Sequence, residues 1–347
     1  MNALHGSRRP GLLAGMCLLS ALLFAFWFCA DLRSAQTVPA PRVPEQAKIT
    51  VRTDLVVLPV SVTDAKGAFV SGLQEPNFQI YEKGRLQRIT LFVEEDTPVT
   101  VGLLVDHSRS MRPKLSDVIT AVTTFAHSSN PEDEMFVVDF GDTVSIELLD
   151  GKAFTSDAKV LEKAVAAVSA RGRTALYDAV AAGLKHLELG KHEKKALILV
   201  SDGGDNASHY KYGDVLALAR QAHAVIYSIA LAGNSVEEEN PRVLEKLCKD
   251  TGGIAFFPRA GENISEIAKE IARDLREQYT LGFAPEKRIK GDAFRKVTVR
   301  VSAPGRGKVR VRTRAGYSLP AEKALPTQPN GERRSMPPGA RPQHRAD

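Results

Sequence analysis

With 347 residues, 43% of them hydrophobic and 25% charged, the chain has an ordinary globular composition and enough length for one sizeable core plus smaller modules. Its net charge of +6 is a mild excess, and it falls to +4 if the first 35 residues, with three arginines and one aspartate, are removed. Cys17 and Cys29 stand in the N-terminal apolar stretch, which leaves only Cys248 and excludes an intramolecular disulfide in the remainder.

In chain order, Arg8 and Arg9 precede an uncharged apolar stretch from Gly11 to Ala30 that Asp31 closes. Residues 1–35 therefore read as a secretory signal or a signal-anchor, and basic residues ahead of the stretch place the rest of the chain outside the cytoplasm in either case. Ala30 and Ala35 lack the small residue two positions earlier that marks cleavage, so a cleaved leader and a membrane anchor both fit. Met16 ahead of Cys17 does not make a lipoprotein box. Export to the periplasm, cell envelope or exterior argues against nucleic acid as a partner and leaves the membrane reachable through this segment alone. Residues 36–47, with Pro39, Pro41 and Pro44, read as an extended linker.

Residues 48–98 alternate apolar and polar positions at Val56, Leu58, Val60 and Val62, then Phe78 and Ile80, then Ile89, Leu91 and Val93, with turns at Asp64–Gly67 and Glu82–Gly84. That pattern predicts antiparallel strands. Residues 99–278 alternate differently. Short apolar runs at Val101–Val105, Met135–Phe140, Ala196–Val200, Val225–Leu231 and Ile254–Phe257 are separated by helical stripes. These stripes run from Leu115 to Ala126, near Asp157–Val168, Thr174–Leu187, Asp214–Ala222 and Val243–Lys249, and from Ile264 to Leu275. Strand and helix in alternation predict an α/β fold with a doubly wound, mostly parallel sheet. Cys248 falls on one helical stripe and reads as a buried structural residue.

Residues 279–319 return to β pattern. The blocks before and after the α/β unit are about 50 and 40 residues long, sizes at which an isolated core is marginal, so they are expected to share one β-sandwich-like module. Between Lys287 and Arg314 eleven lysines and arginines face only Glu286 and Asp292. This basic segment is either the solvent face of strands or a surface for an anionic envelope component. Residues 320–347, rich in Pro and Arg, are expected to be disordered.

Chemistry concentrates where the apolar runs end. Asp106-His107-Ser108-Arg109-Ser110 follows Val101–Val105, Thr174 opens a helical stripe, and Asp202 follows Leu197–Ser201. Open α/β sheets bind ligands beyond the carboxyl ends of their strands. Taken alone, Asp and Ser after a strand would merely cap the next helix. The three segments together, in this order, resemble the metal-ion-dependent adhesion site of von Willebrand factor A-type domains, and the resemblance runs from about residue 98 to 278. Together with the flanking β blocks it extends to exported bacterial proteins called VWFA-related, over residues 48 to 319.

The resemblance implies that Asp106, Ser108, Ser110, Thr174 and Asp202 hold Mg²⁺ or Mn²⁺, ions that prefer oxygen ligands and are bound with few protein carboxylates. It further implies that the under-neutralised ion attracts an Asp or Glu of a partner protein, as in an adhesion module. The position between the serines is often Gly in such sites and here is Arg109. Arg109 and His107 are expected either at the rim, where they would favour an anion, or as solvated turn residues. Asp178 and Asp205 read as local caps. The sequence holds no His-Glu-x-x-His, Gly-x-Ser-x-Gly, phosphate loop or Cys pair, which disfavours an enzyme such as a hydrolase. An envelope scaffold stabilised by a metal is the alternative to the binding module.

Overall fold

The computed structural model describes residues 55–318, apart from residues 95, 147, 149–150, 168, 232–239, 260 and 286–293. The expected leader, linker and C-terminal tail lie outside these residues, as do Lys287, Arg288 and Lys290. No helix among the described residues is long and apolar enough to cross a membrane.

The alternating N-terminal block forms β1 (Val56–Thr63), β2 (Phe78–Glu82), β3 (Arg85–Gln87) and β4 (Leu91–Val93). The central block forms β5 (Val99–Asp106), α1 (Leu115–Ser128), β6 (Glu134–Phe140), β7 (Val144–Ser145), α2 (Ala158–Ala166), α3 (Leu176–His186) and β8 (Lys194–Ser201). It continues with α4 (Tyr212–Ala222), β9 (Val225–Ala230), α5 (Pro241–Thr251), β10 (Ala255–Phe256) and α6 (Ile264–Arg276). The chain then returns to β structure in β11 (Tyr279–Phe283), β12 (Arg295–Val301), β13 (Arg310–Arg312) and β14 (Gly316–Tyr317).

The central sheet has the order β10-β9-β8-β5-β6-β7, parallel throughout except for β7 at one edge. β5 lies in its middle, and every residue of β5 is buried, as expected of a parallel strand covered on both faces. One face packs on α1, α2 and α6 through residues such as Phe125, Leu161 and Ile271. The other packs on α3, α4 and α5 through Leu184, Val215 and Leu247, and Cys248 is buried there. Because β5 pairs with β6 on one side and β8 on the other, the strand order reverses beside it. The carboxyl ends of β5 and β8 thus flank the crevice where such sheets take ligands.

The two β blocks interleave. One sheet has the order β13-β1-β11-β4 and the other β14-β12-β2-β3, so each sheet draws strands from both ends of the chain. Val56, Leu58, Val60, Phe78, Ile80, Leu281, Phe283, Val297 and Val299 form their common core. The flanking segments therefore make one antiparallel two-sheet module around the α/β unit.

Several boundaries differ from the sequence expectation. α3 begins at Leu176 rather than Thr174. The Thr174 carbonyl accepts the N–H groups of Asn206 and Ala207 at 3.0 Å each, and the first-turn N–H groups of Tyr177 and Asp178 go to Asp205 Oδ1 and Ser208 Oγ. β7, two residues long, carries too short a pattern to be read. The basic segment is only partly a solvent face: Arg295 forms a buried ion pair with Glu82 at 3.0 Å, Arg314 is buried, and Arg312 reaches Asp274. Lys296, Arg300, Arg306, Lys308 and Arg310 remain exposed.

Candidate metal centre

β5 delivers Asp106 to the end of a fully buried strand, and the chain then turns so that Asp106 accepts the N–H of Ser108 at 2.8 Å. Its other oxygen accepts the Ser201 hydroxyl at 2.6 Å. Burial pushes the Asp106 carboxyl from its ordinary value of 3.8 up to about 6, against those hydrogen bonds, and the neighbouring charge of Asp202 adds to the rise. Asp202, at the end of the adjacent strand β8, is 3% exposed. One of its oxygens accepts Gly204 N–H at 3.1 Å. The other, Oδ2, is buried and has no hydrogen-bond partner, a costly condition for a carboxylate oxygen.

The hydroxyls lie beside the acids. Ser108 Oγ and Ser110 Oγ are 3.1 Å apart, and with Thr174 they line an open concavity of about 300 Å³ whose other lining residues are Arg109, Asp142, Gly172, Arg173 and Asn206.

Three loops are stitched to one another to produce this arrangement. Arg109 N–H donates to the Gly172 carbonyl at 3.3 Å and Arg171 N–H to the His107 carbonyl at 2.8 Å. The loop after β8 is joined to the same place, since Asn206 Oδ1 accepts Thr174 N–H at 2.9 Å. Gly172 makes the approach possible: it has φ of +76°, and a Cβ there would lie 1.8 Å from Asp142 Oδ2. Of the expected residues, then, Ser108, Ser110 and Thr174 meet at the concavity, and Asp106 and Asp202 are buried next to each other at the neighbouring strand ends.

One rim expectation is corrected. His107 is 3% exposed, its Nδ1 bonded to Asp139 and its N–H to the Phe140 carbonyl at 2.8 Å, so it neither lines the rim nor meets solvent. Pairing with the end of β6 turns it inward. Arg109 is exposed and lines the concavity, and Arg173 there pairs with Asp142 at 3.3 Å. Asp178 is an acceptor for the N–H groups of His209 and Tyr210 at 2.9 Å each. Asp178 and Asp205 thus serve backbone groups, though of residues distant in sequence.

Ser201, Asn206 and Lys114 were not singled out from the sequence. A hydroxyl inside the apolar run Leu197–Ser201 was a signal for the first; nothing local marks the other two. Among the described residues no group of three or more His, Cys, Asp or Glu could hold a metal ion, so an ion here would rest on hydroxyls as much as carboxylates. The oxygen-only donor set, with Asp202 Oδ2 buried and outside any hydrogen bond, fits a hard divalent cation.

Residues 101–204 match the sequence profile of a family described as von Willebrand factor type A domain. No curated protein matches the chain. Among solved structures the chain is similar to a von Willebrand factor type A protein from Catenulispora acidiphila, at 16% identity and a TM-score of 0.46 over 76% of this chain and 78% of that one. It is also similar to an aerotolerance-related membrane protein from Bacteroides fragilis carrying multiple mutations to serines, at 14% identity and a TM-score of 0.43 over 52% and 98% of the two chains. A third similar structure is manganese-loaded TRAP from Plasmodium vivax, at 14% identity and a TM-score of 0.40 over 70% and 99%.

Proposed function

We propose, from the match of residues 101–204 to the von Willebrand factor type A domain profile, that the protein is an exported binding module that holds Mg²⁺ or Mn²⁺ and docks an acidic protein ligand through the ion. The ligands of the ion are Asp106, Ser108, Ser110, Thr174 and Asp202. The observation that carries this reading is the buried Oδ2 of Asp202, which no hydrogen bond reaches, next to Asp106, with Ser108, Ser110 and Thr174 lining the open concavity. When bound, the ion would be held by two carboxylates and three neutral hydroxyls, which leaves one position of an octahedral shell for an outside carboxylate. Arg109 on the rim adds to that attraction.

A binding role is favoured over an enzymatic one by the sequence, which holds no His-Glu-x-x-His, Gly-x-Ser-x-Gly, phosphate loop or Cys pair.

The test is thermal melting of the purified chain with Mg²⁺, Mn²⁺ and EDTA, combined with capture of partners from envelope extracts. An ion at a hundredfold excess over its Kd stabilises by about 2.7 kcal/mol, and EDTA is expected to release the captured protein. Melting curves unchanged across millimolar Mg²⁺ and Mn²⁺ would refute the cation site. Capture that survives EDTA while melting still responds to the ion would make the metal structural, as in an envelope scaffold, and would move recognition elsewhere; the exposed cations Lys296, Arg300, Lys308 and Arg310 are then the place for an anionic envelope component.

A further inference from the structure

Lys114 ends the short 3-10 segment Arg109–Lys114 that leads from the serine loop into α1. A lysine usually keeps its strongly hydrated ammonium in water. Here the residue is 9% exposed. Its Nζ donates to the Leu231 carbonyl at 2.5 Å and stands 4.0 Å from Oδ2 of Asp202, the oxygen that no hydrogen bond reaches. The anchor is itself fixed, because Leu231 N–H donates to the Ser201 carbonyl at 3.1 Å, one residue before Asp202. Swinging the ammonium out to solvent would therefore abandon the Leu231 carbonyl and the Asp202 carboxylate together.

Resting on the cation reading above, we propose that Lys114 is a built-in counter-cation of the metal centre: its ammonium compensates Asp202 when no divalent ion is bound, and by the same charge it weakens the ion's binding. The argument is one of sign and distance. Two buried carboxylates side by side, Asp106 and Asp202, need compensating positive charge. A tethered ammonium supplies part of it permanently. A divalent cation entering the same poorly screened volume meets that fixed charge and is repelled by it, since charges inside a protein interact far more strongly than in water. The result is a site of reduced affinity whose occupancy follows the surrounding cation concentration, and a cation-free state that stays folded.

The experiment measures Mn²⁺ and Mg²⁺ affinity of the full chain by calorimetry, in wild type and in three variants. Lys114→Gln keeps a donor for the Leu231 carbonyl without the charge, Lys114→Met keeps the apolar stem, and Lys114→Arg keeps the charge. Both neutral variants are expected to bind Mn²⁺ about tenfold tighter or more, and to melt lower than wild type in EDTA but not in saturating Mn²⁺. The arginine variant is expected to bind like wild type. Wild-type binding with equal or weaker binding in Lys114→Gln, the variant being folded in saturating Mn²⁺, overturns this proposal and leaves the cation site standing. Absence of Mn²⁺ and Mg²⁺ binding in wild type and all three variants overturns both.

Discussion

Thr174 shows how one residue can serve the fold with its backbone and, in the proposed centre, the ion with its side chain. Its N–H and carbonyl bind the loop after β8, and the residue also lines the concavity. Thr174→Ala is therefore expected to cost the cation-free protein about 1 kcal/mol or less while reducing the melting-temperature gain produced by Mg²⁺; a full gain in the variant would remove Thr174 from the ligand set. Asp106 sets the pH dependence. Its carboxyl is raised to about 6 in the folded, cation-free protein, so above that pH an ionised buried carboxylate destabilises the fold, by up to about 3 kcal/mol for a shift of roughly two units. Below it a proton removes the penalty. In the proposed centre a divalent ion removes the same penalty by charge and competes with the proton. Stabilisation by Mg²⁺ is expected to be full at about pH 7.5 and to shrink as pH falls through about 6, measured as the melting shift between Mg²⁺ and EDTA across that range. A shift independent of pH would mean that Asp106 is not at the ion.

At the scale of elements, β5 is the axis of the site, because it carries Asp106 and separates the two strands that present His107's partner Asp139 and Asp202. Its position depends on Gly102, where a Cβ would come within 2.6 Å of both Leu197 Cδ2 and Phe136 Cζ. The two neighbouring strands close over the glycine on the face covered by α3. Gly102→Val is expected to destabilise by about 1–3 kcal/mol through overpacking, read as a lower urea midpoint at unchanged slope. The residual folded protein should still respond to Mg²⁺, because Gly102 touches none of the five oxygen donors.

Over the whole molecule, the β module and the α/β unit are joined by buried polar groups. Asp274, 1% exposed at the end of α6, accepts the Ser61 hydroxyl at 2.8 Å, the Tyr227 hydroxyl at 2.5 Å and the Arg312 guanidinium. Gln278 Nε2 donates to Tyr227 Oη at 2.8 Å and to Ser61 Oγ at 3.3 Å. Thus β1, β9, α6 and β13 meet at one carboxylate. Removing the guanidinium that pairs with it, by Arg312→Met, is expected to cost about 3 kcal/mol and to expose the β1 and β11 segments to limited proteolysis before the α/β unit. Unaltered protection of β1 in that variant would show that the apolar core shared by the two sheets suffices to hold the module.

Much of this architecture was legible in residue patterns. Unbroken apolar runs announced strands covered on both faces, period-two runs announced the antiparallel module, and Asp106, Ser108, Ser110 and Asp202 stood out because each follows such a run, Thr174 because it opens a helical stripe. These signals are local, set by a few neighbouring residues and the geometry of one strand or helix. What only the tertiary structure decided involves groups far apart in the chain: that His107 turns inward to Asp139, that Asn206 pins Thr174, that Arg295, Arg312 and Arg314 are turned inward rather than bathed in solvent, and that Lys114 lies against Asp202. Each depends on which loops and strands the topology makes neighbours and on how little water remains between them. A charged residue reads the same in a sequence whether its partner is solvent or a buried carboxylate; desolvation, which separates the two cases, exists only once the chain has folded.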